Sequence, residues 1–355
     1  MLNTEEFIER LVELNYSHLC VVPCSFAKYL INAAINSPDI EYTPCASEAV
    51  ACSVAAGLKI AGKSPIVIVQ SSGVTNMGSC ITSLLKPYGI TFPILSSWRT
   101  YNEGDSEIQH KHLATELPSL IQSYGYESVT LDNKDLSHCL NQIEHSKNSN
   151  TICMIQKGSF TPVELEIKHR LDLSDYMPRS KYLQILNNKF RRTDNVFIGT
   201  TGNTAREMYT FMQETRNFYM AGNMGGALSL GLGAAMAGKK VIVCGGDAEY
   251  VMHMGGLTTA GRYSKDIDLT YILFDNESNK STGGQNTYQA HVNYLEIAKH
   301  SGFSVEENVI TKLNEFEVYL KKVKKNTGLK MIWVKCDVDP ETPRPPLEHV
   351  KVNRI

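Results

Sequence analysis

Asp247 and Asn276 are the residues from which a chemistry can first be read in this chain. The run Val241-Ile242-Val243-Cys244 has the character of a buried strand and ends in Gly245-Gly246-Asp247-Ala248. Met252, Met254, Leu257 and Ala260 then recur near helical spacing. A second apolar run, Leu269-Thr270-Tyr271-Ile272-Leu273-Phe274, ends in Asp275-Asn276. Two parallel strands joined by a helix bring Asp247 and Asn276 to one edge of a sheet, the edge at which α/β folds hold ligands. One carboxylate and one amide oxygen suit Mg2+, which prefers hard oxygen ligands and needs few carboxylates when phosphates supply the rest. Gly245 and Gly246 would let the backbone come close to a phosphate. An ordinary strand-turn-helix with a structural Asp is the competing explanation.

Glu48 is the second candidate. It leads an Ala-rich helix, 48–61, which Ala49, Val50, Ala51, Val54, Ala55, Ala56, Leu58 and Ile60 lead one to expect buried on nearly every side. A carboxylate buried there costs desolvation energy unless something offsets it. Burial also favours its protonated form, which suits proton exchange with a weak base. The dipole of a helix first turn favours an acid for its own sake, so the position alone leaves both explanations open.

The elements that position these groups fall into two sets. At 355 residues the chain is long for one domain and comfortable for two. Thr4 is placed to cap a helix carrying Phe7, Ile8, Leu11, Val12 and Leu14 on one face. Strands are predicted at 19–22, 40–43, 66–70 and 92–98, with helices at 25–34 and 48–61, a turn at 71–73 and a helix from there to about 85. Helix and strand signals alternate to Ile155, which gives a first α/β unit at 1–160. The stretch 161–180, with Pro162 and Pro178, has no clear period and reads as a linker. Alternation resumes over 181–355 and ends in a tail with Pro340, Pro343, Pro345 and Pro346, expected to be extended. No internal sequence repeat is visible.

Charge and cysteine usage narrow the function. A net charge of −2 gives no electrostatic case for nucleic acid or an anionic membrane. The polar, acidic start, Met1 to Glu6, does not resemble a signal peptide, and no apolar run reaches the length of a membrane span. The nine cysteines lack zinc-site spacing and read as reduced thiols of a cytoplasmic protein. A dinucleotide oxidoreductase would need Gly-x-Gly-x-x-Gly after its first strand, and nothing of that form follows Val22.

Several motifs, taken in order, resemble the thiamine diphosphate-dependent decarboxylases. They are Val22-Pro23-Cys24-Ser25, Ser47-Glu48-Ala49, Gln70-Ser71-Ser72-Gly73, Trp98-Arg99, Glu107-Ile108-Gln109-His110, Thr200-Thr201-Gly202, Asn223-Met224-Gly225, Gly246-Asp247-Ala248, and Asp275-Asn276 through Ser281-Thr282-Gly283-Gly284-Gln285. The resemblance implies two doubly wound parallel-sheet domains of the thiamine diphosphate-binding type, pyrimidine-binding first and diphosphate-binding second. It implies that Glu48 bonds N1′ of the aminopyrimidine, with Gly73 nearby. Thr201, Gly202, Asn223, Gly246, Asp247, Ala248, Asn276 and Ser278 would meet the rest of the cofactor, and Met224 would be the apolar wedge that bends it. Mg2+ would be held by Asp247, Asn276 and the backbone carbonyl of Ser278. Active sites shared between subunits of a dimer or higher homo-oligomer are also implied.

The substrate implied is a small anionic 2-oxo acid. The decarboxylation would turn 3-phosphonopyruvate into phosphonoacetaldehyde and CO2, as in phosphonate biosynthesis, with sulfopyruvate, another 2-oxo acid or carboligation as alternatives. A dianion needs cations and oriented donors. Arg99, Gln109, His110, Ser281 and Thr282 are the candidates, with Lys280 as a further cation. Ser25 and His110 join Glu48 as expected catalytic residues. The chain departs from the family pattern at Ser47, Ala49, Ser71, Thr100, Asn223, Ala248, Asp275 and Asn279. In the pattern an Asn precedes the Glu of Ser47-Glu48-Ala49, a Gly follows Arg99, and an Asn stands in place of Asp275.

Overall fold

The computed structural model of the chain describes residues 1–101, 108–340 and 342–346. It divides into two compact units, Met1–Arg170 with Thr282–Gln285, and Leu171–Ser281 with Asn286–Ile355. Glu107 and the tail beyond Pro346 lie outside the described residues.

The first unit contains strands β1 (His18–Val21), β2 (Glu41–Pro44), β3 (Pro65–Gln70), β4 (Ile94–Ser97), β5 (Glu127–Thr130) and β6 (Thr151–Ile155). They form one parallel sheet in the order β2-β1-β3-β4-β6-β5. The second contains β7 (Val196–Gly199), β8 (Arg216–Tyr219), β9 (Lys240–Gly246), β10 (Asp268–Asp275), β11 (Ser304–Val305) and β12 (Gly328–Lys335). Their order is β11-β12-β10-β9-β7-β8, again all parallel. Read from its other end, this is the order of the first sheet. Each unit is therefore doubly wound, with its strand order reversing between β1 and β3 or between β7 and β9, where such sheets open a crevice for ligands.

Side-chain alternation explains why the strands are apolar throughout. In the second unit Ile242, Cys244, Ile272, Phe274, Ile332 and Val334 enter one core. Their neighbours Val241, Val243, Leu269, Tyr271, Leu273 and Met331 enter another. A parallel sheet covered by helices on both faces needs this continuous hydrophobicity. In the first unit Leu19, Val21, Ile66, Ile68, Leu95 and Ile155 pack one face, and Cys20, Val67, Val69 and Ile94 are equally buried.

Several local expectations are revised. Asn3, not Thr4, caps the first helix, its Oδ1 accepting from Glu5 N and Glu6 N at 3.1 and 3.2 Å. Thr4 is buried and donates from Oγ1 to Thr161 O at 2.6 Å. The expected turn at 71–73 is already helix, because β3 runs straight into Ser71–Asn76. The expected helix over 252–260 is two short helices, Asp247–Met252 and Gly256–Gly261, separated by His253-Met254-Gly255. Consecutive glycines weaken helix continuity there.

Candidate active site

In the first unit the candidate residues collect at the C-terminal edge of the sheet. Ser47 caps the helix Glu48–Ile60, its Oγ accepting from Val50 N at 3.4 Å. Serine thus does the capping work of the Asn in the family pattern. Glu48 is buried, and its Oε2 accepts from Asn76 Nδ2 at 2.8 Å. Gly73 makes this possible: a Cβ on it would lie 2.5 Å from Glu48 Cγ and 2.6 Å from Oε1. The glycine serves close approach, since its helix would accept alanine.

Arg99 follows β4 and is only 5% exposed. Its guanidinium donates from Nη1 to Ser25 Oγ at 2.5 Å and lies 4.3 Å from the Phe26 ring centroid. Cys24, alongside, is fully enclosed, and burial pushes its thiol up against the opposing effects of Ser97 and Arg99. Thr100 takes φ 59°, a left-handed conformation costly for a β-branched side chain. This accounts for the glycine that the family pattern has there. Gln109 and His110 lie in the turn Ile108–His110, and His110 Nε2 is 3.2 Å from Gln70 Nε2. Gln70 also donates to Ser72 Oγ at 2.9 Å. Thr282 groups with this unit, whereas Ser281 belongs to the second.

In the second unit the site is built on the ends of β7, β9 and β10. Gly202, at φ 79°, precedes the helix Asn203–Phe211, and a Cβ there would stand 3.3 Å from Ser281 Oγ. Thr201 beside it is partly exposed. Thr200 Oγ1 is buried and has no hydrogen-bond partner. Asn223 is exposed at φ 60°, Met224 is half-buried, and Gly225 follows at φ 88°. The register sets Gly246 opposite Phe274, so Asp247 and Asp275-Asn276 leave adjacent strands at the same edge. A Cβ at Gly246 would meet nothing nearer than Phe274 O at 4.0 Å, so the ground in front of it is open. Gly245 has another purpose, because a Cβ there would collide with the Tyr271 hydroxyl. Ala248 continues the helix that starts at Asp247. Ser278 forms an isolated antiparallel bridge with Asn286, and Lys280 is exposed.

The electrostatics of this edge can be tested against a divalent cation and a diphosphate. Asp247 is 4% exposed, and its carboxylate accepts from the backbone N–H groups of Ala248 and of Asp247 itself and, at 3.5 Å, from Thr287 Oγ1. Burial, and then the neighbouring charge of Asp275, push Asp247 up to about 7. A cation would reverse both effects. Asn276 Oδ1 accepts from Ser278 N at 3.1 Å and keeps a second lone pair. Among the described residues no cluster of three or more His, Cys, Asp or Glu side chains could hold a metal. One carboxylate, one amide and a carbonyl leave the remaining positions to phosphate and water, which is the Mg2+ pattern. With the orphaned Thr200 hydroxyl and the glycine at 202, the residues present fit Mg2+ and a diphosphate.

Sequence reasoning did not reach the side chains that hold these groups in place. Asn76 sits one turn after Gly73 on the same helix, a spacing that offers a signal. Asp275 is held by Trp333 and Lys335 from β12, which only the strand register reveals. Glu249 accepts from the Tyr271 hydroxyl and, at 3.3 Å, from Ala227 N at the start of the helix Ala227–Met236. Burial pushes Glu249 up to about 7. It ties the turn after β9 to the segment after Met224.

Comparison with known proteins adds an independent line. Residues 3–114 match the N-terminal TPP binding domain of thiamine pyrophosphate enzymes, and residues 198–334 match their C-terminal TPP binding domain. The chain is 28% identical to a phosphonopyruvate decarboxylase of Streptomyces viridochromogenes over 330 residues, 85% of this chain and 81% of that protein. It is 27% identical to a sulfopyruvate decarboxylase of Methanosarcina acetivorans over 345 residues, 89% of this chain and 87% of that one. It is 35% identical to the sulfopyruvate decarboxylase subunit beta of Methanocaldococcus jannaschii over 142 residues, 39% of this chain and 74% of the subunit.

Proposed function

We propose a substrate and a mechanism from one premise: this chain belongs to the thiamine diphosphate-dependent decarboxylases of the phosphonopyruvate and sulfopyruvate type. The reaction proposed is decarboxylation of 3-phosphonopyruvate to phosphonoacetaldehyde and CO2, with thiamine diphosphate and Mg2+. Bound thiamine diphosphate supplies the electron sink for loss of CO2 from a 2-oxo acid. The first unit is the pyrimidine-binding domain and the second the diphosphate-binding domain.

In this reading Asp247, Asn276 and the Ser278 carbonyl hold Mg2+, and Gly202 with Thr201 receives the diphosphate at a helix N-terminus. Met224 packs against the cofactor. Glu48 holds the proton at the pyrimidine N1′, and Asn76 fixes the carboxylate that does so. Arg99 and Ser25 bind the anionic end of the substrate, with Gln109, Ser281 and Thr282 as further donors. His110, fixed by Gln70, stands ready to move a proton. Arg99 carries the choice of substrate: a guanidinium 5% exposed and bonded to Ser25 suits a phosphonate better than a methyl group. Sulfopyruvate satisfies the same donors and is the second reading.

Self-association into a dimer or higher homo-oligomer, with active sites shared between subunits, is part of the proposal. The helix Glu48–Ile60 is not buried on nearly every side as expected: Val50 and Val54 are exposed on it, and with the exposed Leu230 and Met236, on or ending the helix Ala227–Met236, they support self-association. All nine cysteines are free, and among the described residues no helix is long and apolar enough to cross a membrane. We place the enzyme in the cytoplasm.

Asp247→Ala tests the cofactor half. It removes the carboxylate of the metal turn, and calorimetry should show Mg2+-dependent thiamine diphosphate binding lost while the circular dichroism spectrum persists. Unchanged binding would overturn the assignment.

A further inference from the structure

Asp275 ends β10 and is 2% exposed. The thiamine diphosphate pattern has a neutral Asn at this place, so the chain carries an extra charge beside Asp247, where the two carboxylates act on each other. A buried carboxylate is costly unless it is paired and hydrogen-bonded. Asp275 is both. Its Oδ2 accepts from Trp333 Nε1 at 2.8 Å and lies 2.9 Å from Lys335 Nζ, and its Oδ1 accepts from Glu277 N at 3.0 Å. Lys335 ends β12 directly opposite Asp275 in the sheet register and is 16% exposed on its side chain. It also pairs with Glu277. Both acids of the turn that carries Asn276 are therefore tied to one lysine.

We infer that Lys335 is a positioning residue of the Mg2+ site. It closes Asp275 into an ion pair, keeps that carboxylate out of the cation's coordination shell, and anchors the turn 275–278 so that Asn276 and the Ser278 carbonyl face the cation with Asp247. The inference rests on the reading of Asp247 and Asn276 as metal ligands. With Lys335 removed, Asp275 becomes a second unpaired buried carboxylate next to Asp247, and the turn loses its attachment to β12. With Asp275 neutral as well, no counter-charge is needed.

The test compares wild type, K335M and D275N/K335M in two measurements. The first is the thermal unfolding midpoint of the protein without cofactor or metal. The second is the Mg2+ concentration giving half-maximal thiamine diphosphate binding, read by calorimetry. K335M should lower the midpoint by at least about 5 °C and raise the Mg2+ requirement about tenfold. D275N/K335M should recover most of the midpoint and return the Mg2+ requirement to within about threefold of wild type. Mg2+-dependent binding in the wild type with K335M unchanged overturns this inference alone, as does a double variant no better than the single one. Mg2+-independent binding in the wild type overturns both the inference and the metal assignment beneath it. Should K335M not fold, the double variant decides: recovery of the folded state with a near-normal Mg2+ requirement supports the inference, and failure to recover overturns it.

Discussion

Gly73 and Glu48 share one space: a methyl on Gly73 would stand 2.5 Å from Glu48 Cγ, and the carboxylate beyond is held by Asn76 at 2.8 Å. The helix after β3 therefore presses its backbone against the acid that leads another helix. Gly73→Ala must displace the Glu48 side chain, at about 1–3 kcal/mol. The expected result is a folded protein with C2–H exchange of the bound cofactor slowed at least tenfold. NMR exchange at the wild-type rate would show that the carboxylate has other places to go.

Glu48→Gln keeps the volume and can still accept from Asn76, but it cannot hold an acidic proton at N1′. General acid–base contributions are typically about a hundredfold to ten-thousandfold. C2–H exchange should slow by that order, while calorimetric cofactor affinity changes less than about tenfold. Normal exchange would leave Glu48 as a helix-end acid.

How far the sequence carries can be judged from these residues. Asp247 and Asn276 stand out because each follows a long apolar run, and a parallel sheet forces such runs to end at one edge. Glu48 stands out because an acid in an Ala-rich stretch is costly. The edge strands β5 and β8 are weakly marked, since Glu127, Ser128, Thr130 and Arg216 are polar and mostly exposed. The shared strand order of the two sheets leaves no sequence repeat, because apolar runs of many compositions satisfy it. Ser71-Ser72-Gly73 reads as a turn because glycine has two uses, and close packing against Glu48 is invisible until the fold is known. The same holds for Lys335, whose partner is set by register across two strands.

Stability away from the site depends on Arg179 and Glu207. They are 4% and 1% exposed and joined by two bonds of 2.7 Å. Removing one partner of a buried pair strands the other charge, at about 3–5 kcal/mol. Arg179→Met should lower stability by that amount in urea unfolding, and Arg179→Met with Glu207→Leu should recover much of it. A loss under about 1 kcal/mol for the single variant would contradict the pairing.

Arg99→Leu removes the guanidinium beside Ser25. A hydrogen bond to a charged group is worth about 1.5–3 kcal/mol, or roughly one to two powers of ten in specificity. KM for phosphonopyruvate should rise by that factor, with kinetics on pyruvate within about threefold of wild type. Equal losses on both substrates would assign Arg99 to the scaffold.

The central claim is decarboxylation of a 2-oxo acid bearing an anionic group at C3. Its most direct test is CO2 release by the purified protein with thiamine diphosphate and Mg2+, using phosphonopyruvate, sulfopyruvate, oxaloacetate and pyruvate in parallel. The account predicts the highest kcat/KM for phosphonopyruvate, at least about tenfold above pyruvate. A preference for pyruvate, or no CO2 from any of the four, would contradict it.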